Sequence, residues 1–383
     1  MLSGVDLITQ ALLGAALGQR VMSKHLGKRA LAWGALFGVI PELDVLLYPF
    51  LDTARKLAWH RGPSHSLLIM ALGALLISRP LATLWKPEKI SRTRAGTFVF
   101  LVWGGHLLLD CLTTQGAKPL WPMSDRIVSL NIMFHTDVLF LLILLFSVLL
   151  LFFLRENKNK VPRAKRTAPG GAEGRRICHW GLGLSAGYAL LAVAMKLTAS
   201  AGFEADLARR GTKFERRMEA PMPYNILLWR SVVDRGDEFW VGYRSVFEFH
   251  TSPVRWTVYG KGTEALADVV HLRETKTLMA HTGGWWLARP HAKGAWIGDL
   301  RHPEARIWGM KKGAVDSRLA FSWVLDTEAK HDRLRPTATP AHAAEGFLRR
   351  MIARIGGKRD SWEANPRLAG VVGSLPEFLP VEP

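Results

Sequence analysis

Apolar residues run in long blocks through the first half of this chain and in short alternations through the second. Residues 5–19 (VDLITQALLGAALGQ) predict a helix rich in Ala and Leu that is short for a membrane span. Residues 30–50 predict a second apolar segment, broken at Pro41, which has no amide hydrogen to continue a helix. Residues 66–85 and 95–115 predict two more spans, and 137–154 (DVLFLLILLFSVLLLFFL) is the most uniformly aliphatic and aromatic stretch. A last apolar run over 180–199 leads into the second half.

There the pattern changes. FWVGYRSV (239–246), RWTVYG (255–260) and GWWLARP (284–290) carry the aromatic and β-branched content of short strands between Gly and Pro punctuation. AAEGFLRRMIARIG (343–356) has helical spacing and a closing Gly, and the Pro-bearing tail 364–383 reads as irregular. The fold class expected is an all-α multipass membrane helical bundle followed by a mixed α+β, β-rich soluble C-terminal domain. The expected divisions are a membrane-embedded domain at 1–154, a basic cytoplasmic linker at 155–179, a final transmembrane helix at 180–200 and a soluble extracytoplasmic domain at 201–383.

Charge gives the bundle a direction. The chain has 383 residues and a formal net charge of +19. Residues 1–200 hold ten acidic side chains against twenty-three Lys and Arg, whereas 201–383 hold twenty-two against twenty-eight. The excess bases sit in short stretches between apolar runs, at 20–29, 86–94 and 155–176, which the positive-inside rule assigns to the cytoplasm. No basic helix or aromatic-studded groove is evident, so no nucleic-acid partner is expected. Two cysteines, Cys111 and Cys178, exclude a CxxC metal site and give no disulfide framework. No signal peptide is expected, because no basic region precedes the first apolar stretch.

With the basic loops inside, Asp6, Asp44, His60, His65, Asp110 and Asp137 all fall near the opposite, non-cytoplasmic ends of the spans, and His106 lies one turn deeper. His106 and Asp110 are four apart and share a helix face, where both can ligate a metal or the acid can orient the imidazole. Ionisable residues inside spans are costly and usually functional. Glu42 and Asp44 follow the Pro41 break; Asp44 is the better ligand candidate and Glu42 the better base. His60-Arg61-Gly62-Pro63-Ser64-His65-Ser66 places two imidazoles and a guanidinium in a tight turn, with Ser64 expected to cap the next helix. Arg61 suits a carboxylate or an anionic substrate. Asp6, with Gln10 one turn later, can serve as a ligand or as a helix-end carboxylate. His135 and Asp137 are weaker candidates, Asp137 reading equally well as a cap. His250, His271 and His281 show no paired ligand spacing, which favours core or surface roles.

Together these motifs resemble the membrane-bound metal-dependent hydrolase family of the YdjM type, the LexA-regulated inner-membrane hydrolases. The resemblance rests on Asp6 with its small-residue helix, Pro41-Glu42-Leu43-Asp44, the 60–66 element, and His106-Leu107-Leu108-Leu109-Asp110 followed by Thr113, Gly116 and Leu120-Trp121-Pro122. It covers roughly 1–150, and Pro223–Arg230 is similar to a segment of the longer relatives. The family is thought distantly similar to zinc-dependent phospholipases C, which implies Asp44, His60, His106 and Asp110 as ligands, with Asp6 added. One position departs: the family has Asp-x-x-Thr-His where this chain has Asp6-Leu7-Ile8-Thr9-Gln10.

The resemblance implies a multipass protein of a bacterial inner membrane, and the alternation of spans from the cytoplasmic basic loops puts its C-terminal domain on the periplasmic or extracellular side. It also implies a divalent metal, zinc first and manganese second, the metals that His and carboxylate ligands suit. His65 or Glu42 would then handle the proton and Arg61 the developing charge. The substrate expected is a phosphoester or other ester, with a phospholipid of the surrounding bilayer favoured by location. The competing expectation is a non-enzymatic membrane protein with a structural or transport-related metal or proton site.

Overall fold

The computed structural model describes residues 4–153, 171–303, 319–337 and 347–363. The chain divides into two compact units: Met1–Leu47 with Trp59–Leu191, and Tyr48–Ala58 with Ala192–Pro383. Most of the 155–179 linker and the whole 364–383 tail lie outside the described residues.

The first unit is helical. Helix α1 (Gly4–Leu26) packs against α2 (Arg29–Val39), then come α3 (Thr53–Trp59), α4 (Leu67–Leu84), α5 (Arg92–Leu112), α6 (Val138–Phe153) and the 39-residue α7 (Gly171–Arg209), which continues into the second unit. The expected loop at 20–29 is mostly helix: α1 carries Arg20 and Lys24 on its final turns, and basic side chains are favourable at a helix C-terminus. Among the described residues, four segments are long and apolar enough to cross a membrane, at Arg29–Phe50, Leu67–Leu84, Arg92–Leu112 and Gly174–Arg209. The aliphatic stretch at Val138–Phe153 is 16 residues as described.

Two small-residue pairs let α1 and α2 meet backbone to backbone. A Cβ on Gly14 would lie 2.3 Å from the Gly34 carbonyl oxygen, and one on Gly38 would lie 2.6 Å from that of Gln10. Gly14/Gly18 on α1 and Gly34/Gly38 on α2 are each a GxxxG spacing, the pattern that permits such approach where no hydrophobic effect drives helices together. Beside this seam, Trp33, Phe37, Trp85 and Phe98 form edge-on and tilted ring contacts in a core shared with Met70, Val99 and Val102.

Pro41 interrupts the α2 segment as its missing N–H requires. The α-helix stops at Val39, and a 3-10 helix takes over from Ile40 to Phe50. At the next helix start Ser66, rather than Ser64, is the cap: its Oγ accepts the Ile69 amide.

The second unit holds two four-stranded antiparallel sheets in simple sequential order. The first is β1 (Arg216–Pro221), β2 (Leu228–Asp234), β3 (Glu238–Ser245) and β4 (Trp256–Gly260); the second is β5 (Trp286–His291), β6 (Gly294–Asp299), β7 (Ser322–Asp326) and β8 (Leu334–Pro336). Helices α8 (Arg273–Thr282), α9 (Phe347–Ile355) and the short α10 (Asp360–Glu363) accompany them. The three stretches read as strands are β3, β4 and β5, and the helix read over 343–356 is α9. The bundle-plus-β-rich class is the one observed.

Candidate metal centre

Three elements of the helical unit bring four potential ligands together. The 3-10 helix after Pro41 supplies Glu42, the turn before α4 supplies His65, and α5 supplies His106 and Asp110. One ligand atom from each lies within 4.8 Å of the others, and all four residues are buried. His65 Nε2 stands 3.1 Å from His106 Nε2 and 3.1 Å from Asp110 Oδ2. His106 Nε2 is 3.5 Å from Asp110 Oδ2, and both imidazoles are 3.6 Å from Glu42 Oε1.

Those separations test whether a metal fits. Ligands about 2.0–2.1 Å from a tetrahedral ion stand about 3.3 Å from one another, since a tetrahedron's edge is roughly 1.63 times its centre-to-corner distance. The five distances straddle that value. Asp110 Oδ2 is also a buried oxygen without a hydrogen-bond partner, despite its closeness to His65. An acceptor buried in that way is costly unless something positive meets it. The residues fit a divalent ion.

Second contacts aim these atoms. His106 Nδ1 lies 2.8 Å from the Gly38 carbonyl oxygen and so carries the hydrogen, leaving Nε2 as an electron-pair donor. The α1–α2 seam thus sets the orientation of an α5 ligand. Gln10 donates from Nε2 to Asp110 Oδ1 at 2.8 Å and leaves Oδ2 facing the imidazoles. Gln10, where the resemblance led to the expectation of a His, is a carboxylate-orienting amide. His65 Nδ1 lies 2.8 Å from Ser64 Oγ.

Arg61 crosses the centre's edge. Its Nη2 is 3.2 Å from Glu42 Oε1, and its Nη1 is 3.2 Å from Asp110 Oδ1 and donates to the Gly116 carbonyl. Its backbone sits at φ +54°, a region non-glycine residues rarely occupy, and its amide donates to Asp44 Oδ2. Gly116 meets this arm at φ +70°, where an added Cβ would be 2.7 Å from the Val128 carbonyl oxygen. Burial opposes charge on His65, yet the adjacent carboxylates of Asp110 and Glu42 raise its pKa to about 9. With His65 and Arg61 positive, the two carboxylates are balanced; a metal would take the place of the His65 proton.

His60 and Asp44 form a separate pair, Nδ1 to Oδ2 at 3.2 Å, less buried than the four-residue centre. Burial lowers the His60 pKa against the opposing pull of the Asp44 hydrogen bond. Of the residues singled out from sequence, His106, Asp110, Glu42, His65 and Arg61 come together. Asp44 and His60 flank them, joined through the Arg61 backbone. The side chain of Asp6 lies outside the described ones. Asp137 is a cap, its Oδ1 accepting the Phe140 amide, and His135 stacks on Phe134. The role of Gly38, as the carbonyl that orients His106, carries no signature in its own residue type; the GxxxG spacing around it was the available signal.

The comparisons with known proteins agree on family. The profile described as the YdjM inner membrane protein family matches residues 5–199, just over half of the chain. Inner membrane protein YbcI of Escherichia coli (strain K12) is 31% identical over 121 residues, an alignment covering 31% of this chain and 68% of that protein. No solved structure matches the chain. The chain belongs to the YdjM inner membrane protein family, and its apolar helices agree with a place in the inner membrane.

Proposed function

We propose that this member of the YdjM inner membrane protein family is a membrane-bound metal-dependent hydrolase acting on a phosphoester or other ester. The observation that carries the proposal is the convergence of His65 Nε2, His106 Nε2, Asp110 Oδ2 and Glu42 Oε1, with five of their pairwise separations at 3.1–3.6 Å. In this reading His65, His106 and Asp110 hold the ion, which is zinc or manganese and supplies Lewis acidity at neutral pH. Three protein ligands leave a position for water. Glu42, whose Oε1 is 3.6 Å from both imidazole Nε2 atoms, would be the base that takes a proton from that water. Arg61, already paired with both carboxylates, holds negative charge that develops on the substrate. The positive-inside rule, applied to the basic stretches, supports a position for this end of the bundle and for the C-terminal domain outside the cytoplasm. A phospholipid ester of the adjoining leaflet is then the nearest substrate.

A second reading is favoured by one specific observation. All four groups are at most 2% exposed, and a four-ligand set closed to solvent is the form of a structural metal site. In that reading the ion staples the 3-10 segment, the 63–65 turn and α5, and no reaction occurs. Metal analysis of the detergent-purified chain, with hydrolysis measured on a phosphoester and carboxylester panel, separates the two. For the enzyme, Glu42→Gln keeps stoichiometric metal and loses turnover, whereas Asp110→Ala loses both. Stoichiometric metal with no turnover by the wild type on any ester refutes the hydrolase and leaves the staple.

A further inference from the structure

Two phenylalanines of the C-terminal unit stand in solvent although the turn that carries them is held from behind. Phe247 and Phe249, between β3 and β4, are 69% and 80% exposed. The Arg244 side chain, itself buried, donates to the carbonyls of Glu248, Phe249 and Ser252. Glu248, between the two rings, accepts from Arg354 at 3.2 Å and from Arg359 at 3.1 Å, which ties the turn to the C-terminal end of α9. Ser245 Oγ adds a bond to the Ile355 carbonyl at 2.7 Å. On α9 Leu348 and Ile352, one helical turn apart, are exposed in their turn, with Arg349 and Arg350 exposed beside them. Large apolar side chains displayed on so well bonded a support mark a contact surface.

The same contacts fix the level of this surface along α7. A Cβ on Gly202 would stand 2.1 Å from Arg244 Nε, so the side chain that carries the turn lies directly on the helix there. Asp206, about 6 Å further along, accepts the Val254 amide and the Trp256 indole N–H, and Arg209 donates to the Thr251 carbonyl. All of these residues belong to the C-terminal unit, which takes α7 from Ala192 onward. The helix is apolar enough to cross a membrane, its exposed positions carry no charge from Leu190 to Ala201, and Glu204 is the first exposed charge beyond them. Gly202 lies between those limits, so the turn is carried where α7 leaves hydrocarbon for headgroups.

We propose that the Phe247–Phe249 turn and the Leu348/Ile352 side of α9 seat the C-terminal unit on the bilayer surface at the end of α7, with anionic lipid as the partner. The occupant follows from continuity with α7 and from charge. Glu248, the one acid of the turn, is taken up by Arg354 and Arg359, which leaves apolar side chains and the cations Arg349 and Arg350 facing outward. Aromatic and aliphatic side chains combined with arginine are what settle a surface element about 5–10 Å into the boundary between headgroups and acyl chains. Basic side chains at that depth are drawn to anionic headgroups. The proposal stands apart from the hydrolase reading and uses no residue of the metal centre.

The test uses the full chain, with Cys111→Ala and Cys178→Ala, in nanodiscs of phosphatidylethanolamine and phosphatidylglycerol holding one chain each. Nitroxides on Phe247→Cys, Phe249→Cys and Ile352→Cys report accessibility to dissolved oxygen, which concentrates in the bilayer, against a water-soluble nickel chelate. Leu197→Cys calibrates the hydrocarbon, and Lys293→Cys, in the β5–β6 turn, calibrates water; all five labelled positions are exposed, so the cores are left intact. The three test labels should shift toward oxygen, between the two calibrators. They should shift back toward water in discs of phosphatidylcholine alone and in Arg349→Glu/Arg350→Glu. Test labels as aqueous as that of Lys293→Cys, with the Leu197→Cys label in hydrocarbon, overturn the proposal. So does an oxygen-rich reading that arises only in discs holding two chains and comes with spin–spin broadening, because a second copy then covers the face. A reading unmoved by the loss of phosphatidylglycerol and by the charge reversal overturns the anionic partner.

Discussion

Replacing Gly34 with alanine is the sharpest test of how the helical unit holds its centre. The new Cβ would lie 2.2 Å from the Gly14 carbonyl oxygen, 2.9 Å from its carbon and 3.0 Å from Ala15 Cα. All three are backbone atoms and cannot rotate away. Ordinary carbon–oxygen contact is roughly 1 Å longer, so α1 and α2 must part by about that much along the seam. Overpacking of this kind costs about 1–3 kcal/mol, and the gain of alanine over glycine in a helix returns up to about 1 kcal/mol. The same seam carries Gln10 and Gly38, whose bonds to Asp110 and His106 are both 2.8 Å. Parting the helices therefore lowers metal affinity along with stability. The assay is thermal unfolding of the detergent-solubilised chain beside zinc titration, with Gly183→Ala as the control. Gly183 is exposed on α7 with nothing within 4 Å of its would-be Cβ, so that variant should match the wild type or exceed it slightly. Gly34→Ala should melt a few degrees lower. If the two variants melt alike and bind zinc alike, the close seam is not what holds the centre.

Other outcomes follow from named contacts. His65→Ala and Asp110→Ala should each abolish stoichiometric zinc by elemental analysis, while His60→Ala, outside the four-atom cluster, should retain it at reduced affinity. Gln10→Glu sets a second carboxylate 2.8 Å from Asp110 Oδ1 and should weaken zinc binding or shift it to higher pH, whereas Gln10→Ala should weaken it by about tenfold, the worth of one buried hydrogen bond; equal affinities in a titration series would contradict the orienting role. In the C-terminal unit, burial holds the His302 pKa at about 4, below the ordinary 6.5, with Arg301 and Arg230 opposing its charge and Asp299 favouring it. The native state therefore binds fewer protons than the unfolded chain between those values. Stability is full above 6.5 and falls with acidification, by about 2 kcal/mol from pH 7 to pH 5. Denaturant unfolding at the two pH values measures it, and His302→Asn should flatten the difference.

The helices were legible because hydropathy acts over many residues, and the break at Pro41 because proline's chemistry is local. His106 with Asp110 was legible for the same reason: an i,i+4 spacing puts two side chains on one face whatever surrounds the helix. The basic stretch at 20–29 read as a loop and is mainly helix, since a charge run reports solvent or headgroup contact and says little about backbone conformation. Short strands such as β3 and β4 were found from aromatic and β-branched content, but their assembly into two sequential sheets was not, because pairing depends on partners distant in the chain.

Sequence by itself determined the membrane helices, the β-rich second half and the stock of imidazoles, carboxylates and one arginine near one end of the bundle. Tertiary structure alone decided which of them meet. Whether His60 or His65 enters the buried cluster turns on the left-handed backbone at Arg61 and the turn after it, which reverse the chain between the two. Whether Gln10 ligates or orients depends on how closely α1 and α2 approach, and that residues 48–58 belong to the β-rich unit depends on an apolar cluster, around Ala54, of residues over two hundred positions away. Those are contacts between segments far apart in the chain, and local residue patterns carry no record of them.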